Sequence, residues 1–113
     1  MKAFPAPRGL TPEERGLLEF LLSQEFPGIE QLRMQSRDVA AVAECECGCG
    51  TIDLSIAETA ERAKVERSVP VQAGNNECAV LLFVRHGALS SLEIAYFDAP
   101  PKNQSPIVVD ILC

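Results

Sequence analysis

Leu17, Leu18, Leu21 and Leu22 are spaced by one and four positions, so a helix gathers them into a single apolar stripe. The residues ahead of them supply a helix start. Thr11 is placed to accept from an orphan backbone N–H, and Pro12 stands where its missing N–H costs nothing. Glu14, three residues after Thr11, completes a capping box and sets negative charge at the positive end of the helix dipole. The pattern stops at Phe26-Pro27-Gly28, because Pro27 disfavours helix at Phe26 and Gly28 permits a reversal. The spacing predicts a helix from Pro12 to about Glu25, followed by a short helical turn from Ile29 to Gln35.

From Asp38 the period changes to two. Val39, Ala41, Ala43, Cys45 and Cys47 share one strand face, with Glu44 and Glu46 on the other. Ile52, Leu54 and Ile56 alternate in the same way with Thr51, Asp53 and Ser55. A tight turn with Gly48 and Cys49 at its centre pairs Cys45 with Ile52, Ala43 with Leu54 and Ala41 with Ile56. All the apolar residues then fall on one side.

Ala57 to Lys64 reads as a helical turn or a solvated connection, with Glu58 and Arg62 at helical ion-pair spacing. Val65 to Gln72 reads as an edge strand, since Pro70 removes a ladder donor, and Ala73-Gly74-Asn75-Asn76 as a loop. Cys78 to Val84 is apolar throughout, which predicts a central strand buried on both faces. A reversal centred on His86 and Gly87 pairs Leu81 with Leu92, Ala79 with Ile94 and Phe83 with Ser90, and sets Val80 beside Glu93. Asp98 to Pro106 is a proline-stiffened loop, and Ile107 to Leu112 a short final strand or docking segment. The expected fold is α+β: an N-terminal helix packed on an antiparallel sheet of about four or five strands. It forms one domain over residues 1–113, with the helical segment at about 11–35, the sheet at about 38–98 and a tail at 99–113.

The composition agrees with a packed core: among 113 residues, 47% are hydrophobic and 23% charged, too apolar a mixture for a disordered chain. The formal net charge of −6 weighs against nucleic-acid phosphates or an anionic membrane surface as partner. No apolar stretch approaches the ~20 residues needed to span a bilayer. The segment from Met1 to Pro7 has no hydrophobic run of the secretory kind, so the expected compartment is the cytoplasm. There the five cysteines are expected mostly as free thiols or metal ligands rather than a disulfide framework.

Three of those thiols crowd into Cys45-Glu46-Cys47-Gly48-Cys49-Gly50, a soft-ligand cluster suited to zinc or copper(I). The spacing is Cys-x-Cys-x-Cys, without a second knuckle, so Cys78, His86 or Cys113 has to supply any fourth donor. Alternation alone already turns Cys45 and Cys47 inward as small apolar residues, which is the reading favoured here. His86 falls at a turn and is expected in solvent; an enzyme using Glu93 with His86 requires a pocket that brings the two side chains together. Glu93 is an acid in an apolar strand; beside Val80 it offers an acid for catalysis, while an outward glutamate paired with Arg67 or Arg85 is the plainer expectation. Glu44, Glu46 and Asp53 form an acidic face on the first hairpin. A phosphate loop, a nucleophile elbow and a His-Glu-x-x-His helix are all missing from the sequence, so an enzyme is not favoured.

Thr11-Pro12-Glu13-Glu14, Glu25-Phe26-Pro27-Gly28, Cys45-Glu46-Cys47-Gly48-Cys49, Leu81-Leu82-Phe83-Val84 and Leu92-Glu93-Ile94 together resemble a group of small uncharacterised bacterial proteins. That resemblance implies a compact bacterial cytosolic domain and transfers no activity. The function expected is a small acidic non-enzymatic interaction protein of the inhibitor or immunity kind, bound to a protein partner or to a second copy. The alternative is a metal-binding protein using Cys45, Cys47 and Cys49.

Overall fold

The computed structural model describes residues 1–46, 50–74 and 78–96. The elements run β1 (Lys2–Arg8), α1 (Pro12–Leu21), α2 (Ile29–Ser36), β2 (Ala40–Glu44), β3 (Ile52–Ser55), β4 (Val71–Gly74), β5 (Cys78–Arg85) and β6 (Ala88–Tyr96). The six strands form one sheet in the order β1-β2-β3-β6-β5-β4, every neighbouring pair antiparallel. The α+β class stands. The sheet has more strands than the pattern predicts, and the helix follows a strand instead of opening the chain. The unforeseen strand is β1, whose Pro5 and Pro7 speak against a ladder; it is tolerated because it lies at the rim, paired only with β2.

α1 begins as the sequence predicts. The Glu14 N–H donates to Thr11 Oγ1 at 3.1 Å, and the Thr11 N–H donates to Glu14 Oε1 at 2.9 Å, closing the capping box. The helix stops at Leu21, earlier than its leucine stripe suggests, because Leu22 already leaves helical geometry as the C-cap. Leu22 is buried nevertheless. Gly28 takes φ +91° at the start of α2, where a Cβ would stand 2.8 Å from the Lys64 carbonyl oxygen.

Both helices lie against one face of the sheet, α1 on β4 and β5 and α2 on β6. Leu17, Leu18, Leu21, Leu22, Ile29 and Leu32 from the helical side form one cluster with Ile52, Leu54, Val80, Leu82, Leu92 and Ile94 from the strands. Such a core is the principal stabilising element, as burial contributes about 25 cal/mol for each Å² of apolar surface removed from water.

Both predicted registers are overturned, between β2 and β3 already on the turn side of a bulge and between β5 and β6 at a bulge. Between β2 and β3 a shift at Ala41/Ala43 pairs Ala41 with Leu54, Ala43 with Asp53 and Glu44 with Ile52. Cys45 therefore stands beyond the ladder, its N–H donating to the Thr51 carbonyl at 2.9 Å. The predicted turn at Gly48 and Cys49 lies outside the described residues. Between β5 and β6 the reversal is centred on His86 and Gly87 as expected, with Arg85 paired to Ala88. His86 (φ 52°) and Gly87 (φ 75°) take the two positive φ values of a primed turn. A bulge at Phe83/Val84 then shifts the ladder, so Leu81 faces Glu93 and Val80 faces Ile94.

Residues 57–64 are not helical, and Arg62 reaches the Ala57 and Ala60 carbonyls in place of the expected pair with Glu58. β4 starts only after Pro70 and extends to Gly74, taking in two residues expected in a loop. It is an edge strand, as Pro70 implies, paired only with β5.

Candidate functional site

With the helices on one side, the cross-strand register defines what the other side presents. One row crosses β4, β5 and β6 as Gln72, Leu81 and Glu93; the next crosses β5, β6 and β3 as Phe83, Ser91 and Asp53. Leu81 and Phe83 are half-buried there, Glu93 and Gln72 are exposed, and the small side chains of Ala79 and Ala95 leave the surface low around them. The central strand expected to be buried on both faces is fully buried on the helix side and partly on the other, where Ala79 is buried and Leu81 and Phe83 are half-buried. The contacts of α1 and α2 fall on the opposite face, so among the described elements no helix lies over these rows. The result is a two-residue apolar centre flanked by carboxylates.

The two described cysteines, Cys45 and Cys78, lie at one end of the sheet. β2 ends and β3 begins there, and so do β5 at Cys78 and the close of β6 at Tyr96, which pairs with Cys78. Cys45 is half-buried at this end. Cys47, Cys49 and Cys113 lie outside the described residues. Among the described residues, no group of three His, Cys, Asp or Glu side chains could hold a metal. Cys78 is fully buried and disulfide-bonded. For that residue the expectation of a reduced thiol or metal ligand does not hold.

His86 stands at the opposite end of the sheet, exposed on the β5–β6 turn, and is no fourth donor for the cluster. Glu93 lies five positions along β6 from Ala88, about 17 Å at strand rise. A shared catalytic pocket for His86 and Glu93 is thereby removed. Glu93 faces solvent across from Leu81, and among the described residues neither Arg67 nor Arg85 pairs with it. Glu44, Glu46 and Asp53 remain a partly solvated acidic face. A cavity of about 210 Å³ lies between Phe26, Pro27, Val65, Glu66, Arg67 and Pro70. It falls short of the ~300 Å³ at which small-molecule sites begin.

Two buried polar arrangements escape pattern reading. Arg8 at the end of β1 forms a two-pronged pair with Glu14, Nη1 to Oε1 at 2.8 Å and Nη2 to Oε2 at 3.0 Å, while its guanidinium lies 4.8 Å over the Phe4 ring. Burial alone pushes the Glu14 carboxyl up; the hydrogen bonds from Arg8 and the Thr11 amide outweigh it, so the group titrates below the usual carboxylate range. Gln35, 3% exposed, donates to the Glu61 and Gly87 carbonyls and accepts from the Leu89 N–H. Both positions look like ordinary surface residues of a helix. The one available signal is that Glu14 belongs to a capping box.

No helix among the described residues is long and apolar enough to cross a membrane. The chain matches no protein-family model, no curated protein and no solved structure.

Proposed function

We propose that this chain is a small acidic non-enzymatic binding module, of the inhibitor or immunity kind, that meets a protein partner through the uncovered face of its sheet. The observation that carries the reading is the pair of rows centred on Leu81 and Phe83 and bordered by Glu93 and Asp53. An apolar centre inside a polar margin is the anatomy of a recognition surface. The net charge of −6 adds long-range attraction toward a basic partner, raising the rate of encounter more than the final affinity. The test is affinity capture with the wild type beside Phe83→Asp and Leu81→Asp, with Phe20→Ala on exposed helix surface as control. A stoichiometric basic partner retained by wild type and control, and lost by both face variants at unchanged circular dichroism, supports the reading. No stoichiometric partner under any growth condition, or equal retention by the face variants, overturns it.

A second reading, zinc or copper(I) bound by Cys45, Cys47 and Cys49, draws support from Cys45 and Cys78 sharing one end of the sheet, where a fourth thiolate is within the fold's means once Cys78 is reduced. Elemental analysis of untagged protein purified under reductant decides it. Substoichiometric zinc and copper, with the three thiols freely alkylated, removes it.

A further inference from the structure

We propose that the cavity between the α1–α2 connection and the segment leading into β4 binds a free α-amino acid with an apolar side chain. Its two walls come from distant parts of the chain, and backbone contacts fix each of them. On one side the Ile29 N–H donates to the Phe26 carbonyl at 3.1 Å. The adjoining Gly28 packs so tightly on the other wall that an added Cβ would stand 2.8 Å from the Lys64 oxygen and 2.9 Å from Val65 Cγ1. On the far side the Val84 N–H donates to the Ser68 carbonyl at 2.7 Å, and Pro70 leads directly into β4. Pro27 and Pro70 both line the cavity with fixed φ, so the concavity exists before a ligand arrives and little ordering entropy is lost on binding.

Size and lining chemistry select the ligand. A volume of about 210 Å³ is below that of drug-sized sites, yet an apolar cavity of about 150 Å³ already accepts benzene. There is room for one ring or one branched aliphatic side chain, together with a short polar head. Phe26 and Val65, half-buried against the core, and the two prolines offer apolar contact to that side chain. Glu66 and Arg67 complete the lining with one charge of each sign. Among the described residues neither forms an ion pair, with the other or with any further side chain. A zwitterion answers both: its carboxylate meets the Arg67 fork and its ammonium the Glu66 carboxylate. A plain acid would leave Glu66 opposing it, and a plain amine would leave Arg67 doing so. None of the lining residues belongs to the rows of Leu81 and Phe83, so this site is independent of the interaction reading.

The test is a titration of the full chain with L-phenylalanine, L-leucine and glycine, followed through its backbone amide NMR signals. N-acetyl-L-phenylalanine and L-phenylalaninamide, each lacking one charge, are titrated beside them. The expected result is saturable one-to-one shifts at the amides of Phe26, Gly28 and residues 65–69 with phenylalanine or leucine, and none with glycine. Each capped form is expected to bind roughly threefold to fivefold more weakly, as befits an exposed ion pair. Arg67→Gln should erase the preference for phenylalanine over its amide, and Glu66→Gln the preference over its N-acetyl form. Both residues are exposed, so signals away from the cavity should stay in place. No saturable shift with phenylalanine or leucine overturns the proposal, as do equal shifts with glycine. Binding indifferent to the N-acetyl cap also overturns it, assigning the cavity to a plain carboxylate such as a chain terminus. Variants that keep both preferences overturn the roles of Glu66 and Arg67, and the zwitterion assignment with them.

Discussion

The side-chain amide of Gln35 and the carbonyl of Gly87 meet at 2.8 Å across a sequence separation of 52, joining α2 to the tip of the β5–β6 hairpin. The same side chain accepts from the Leu89 N–H at 2.9 Å and donates to the Glu61 carbonyl at 2.8 Å, so one residue satisfies three backbone groups from two segments. Ala63 N–H also donates to the Gly87 oxygen, which therefore keeps a partner if Gln35 is lost. Gln35→Leu leaves the Leu89 N–H and Glu61 carbonyl unsatisfied, an expected cost of about 2–4 kcal/mol. In a domain of this size that lowers the melting temperature by on the order of 10–20 °C. A drop of only a degree or two shows the amide to be dispensable.

Acid should loosen the tie between β1 and α1. Because the folded Glu14 carboxyl titrates below its unfolded value, its stabilisation is present above the ordinary carboxylate pKa of about 4.3 and is lost as pH falls through the folded value. Glu14→Gln is expected to cost about 1–2 kcal/mol at pH 7, modest because Arg8 is a third exposed and its charge is screened. In urea titrations the gap between wild type and variant should hold from pH 7 to about 5 and shrink below about 4. A gap independent of pH rules out the carboxylate as its source.

Gly87 occupies the left-handed region at φ +75°, and a Cβ there would stand 2.5 Å from the Ala63 carbonyl oxygen. Gly87→Ala combines about 1–2 kcal/mol of backbone strain with displacement of backbone that cannot rotate away, for an expected loss of roughly 2–4 kcal/mol. Gly9 is the contrast: an added Cβ meets nothing within 4 Å, and Gly9→Ala should be neutral or stabilising by about 0.5 kcal/mol. Denaturant midpoints of the two variants check both signs together.

Reduction should weaken the fold from the thiol end. Cys78 is fully buried and disulfide-bonded, so peptide mapping without reductant is expected to find it in a cross-linked fragment. Reductant, or Cys78→Ala, should lower stability by about 2–4 kcal/mol. Quantitative alkylation of Cys78 in unreduced, denatured protein contradicts the bond.

Local chemistry was the readable part of this chain. Thr11, Pro12 and Glu14 announce α1 because a cap depends on residues three apart, and His86-Gly87 announces its turn because positive φ suits so few residue types. The β5–β6 register departs from the pattern at a bulge, where one extra residue slides every later pair and no residue type marks the place: Leu81 meets Glu93 instead of Leu92. β1 was missed because Pro5 and Pro7 are permissible only at a rim, and which strand is the rim is a property of the whole sheet. How far the second face of β5 is covered is equally a property of the whole sheet: Ala79 is buried there while Leu81 and Phe83 are only half-buried. An apolar run such as Cys78 to Val84 records that both sides prefer cover, not that the described fold supplies it.

The prolines of β1 carry a consequence for assembly. Pro5 and Pro7 have no amide hydrogen to offer, whereas β4 at the far rim borders, among the described residues, only β5 and is free of proline from Val71 to Gly74. Growth by edge-to-edge stacking thus has a single sticky side. Two molecules joined back to back through that side would expose proline-blocked margins at both extremities, so the joining terminates itself at a pair and cannot propagate into a fibre.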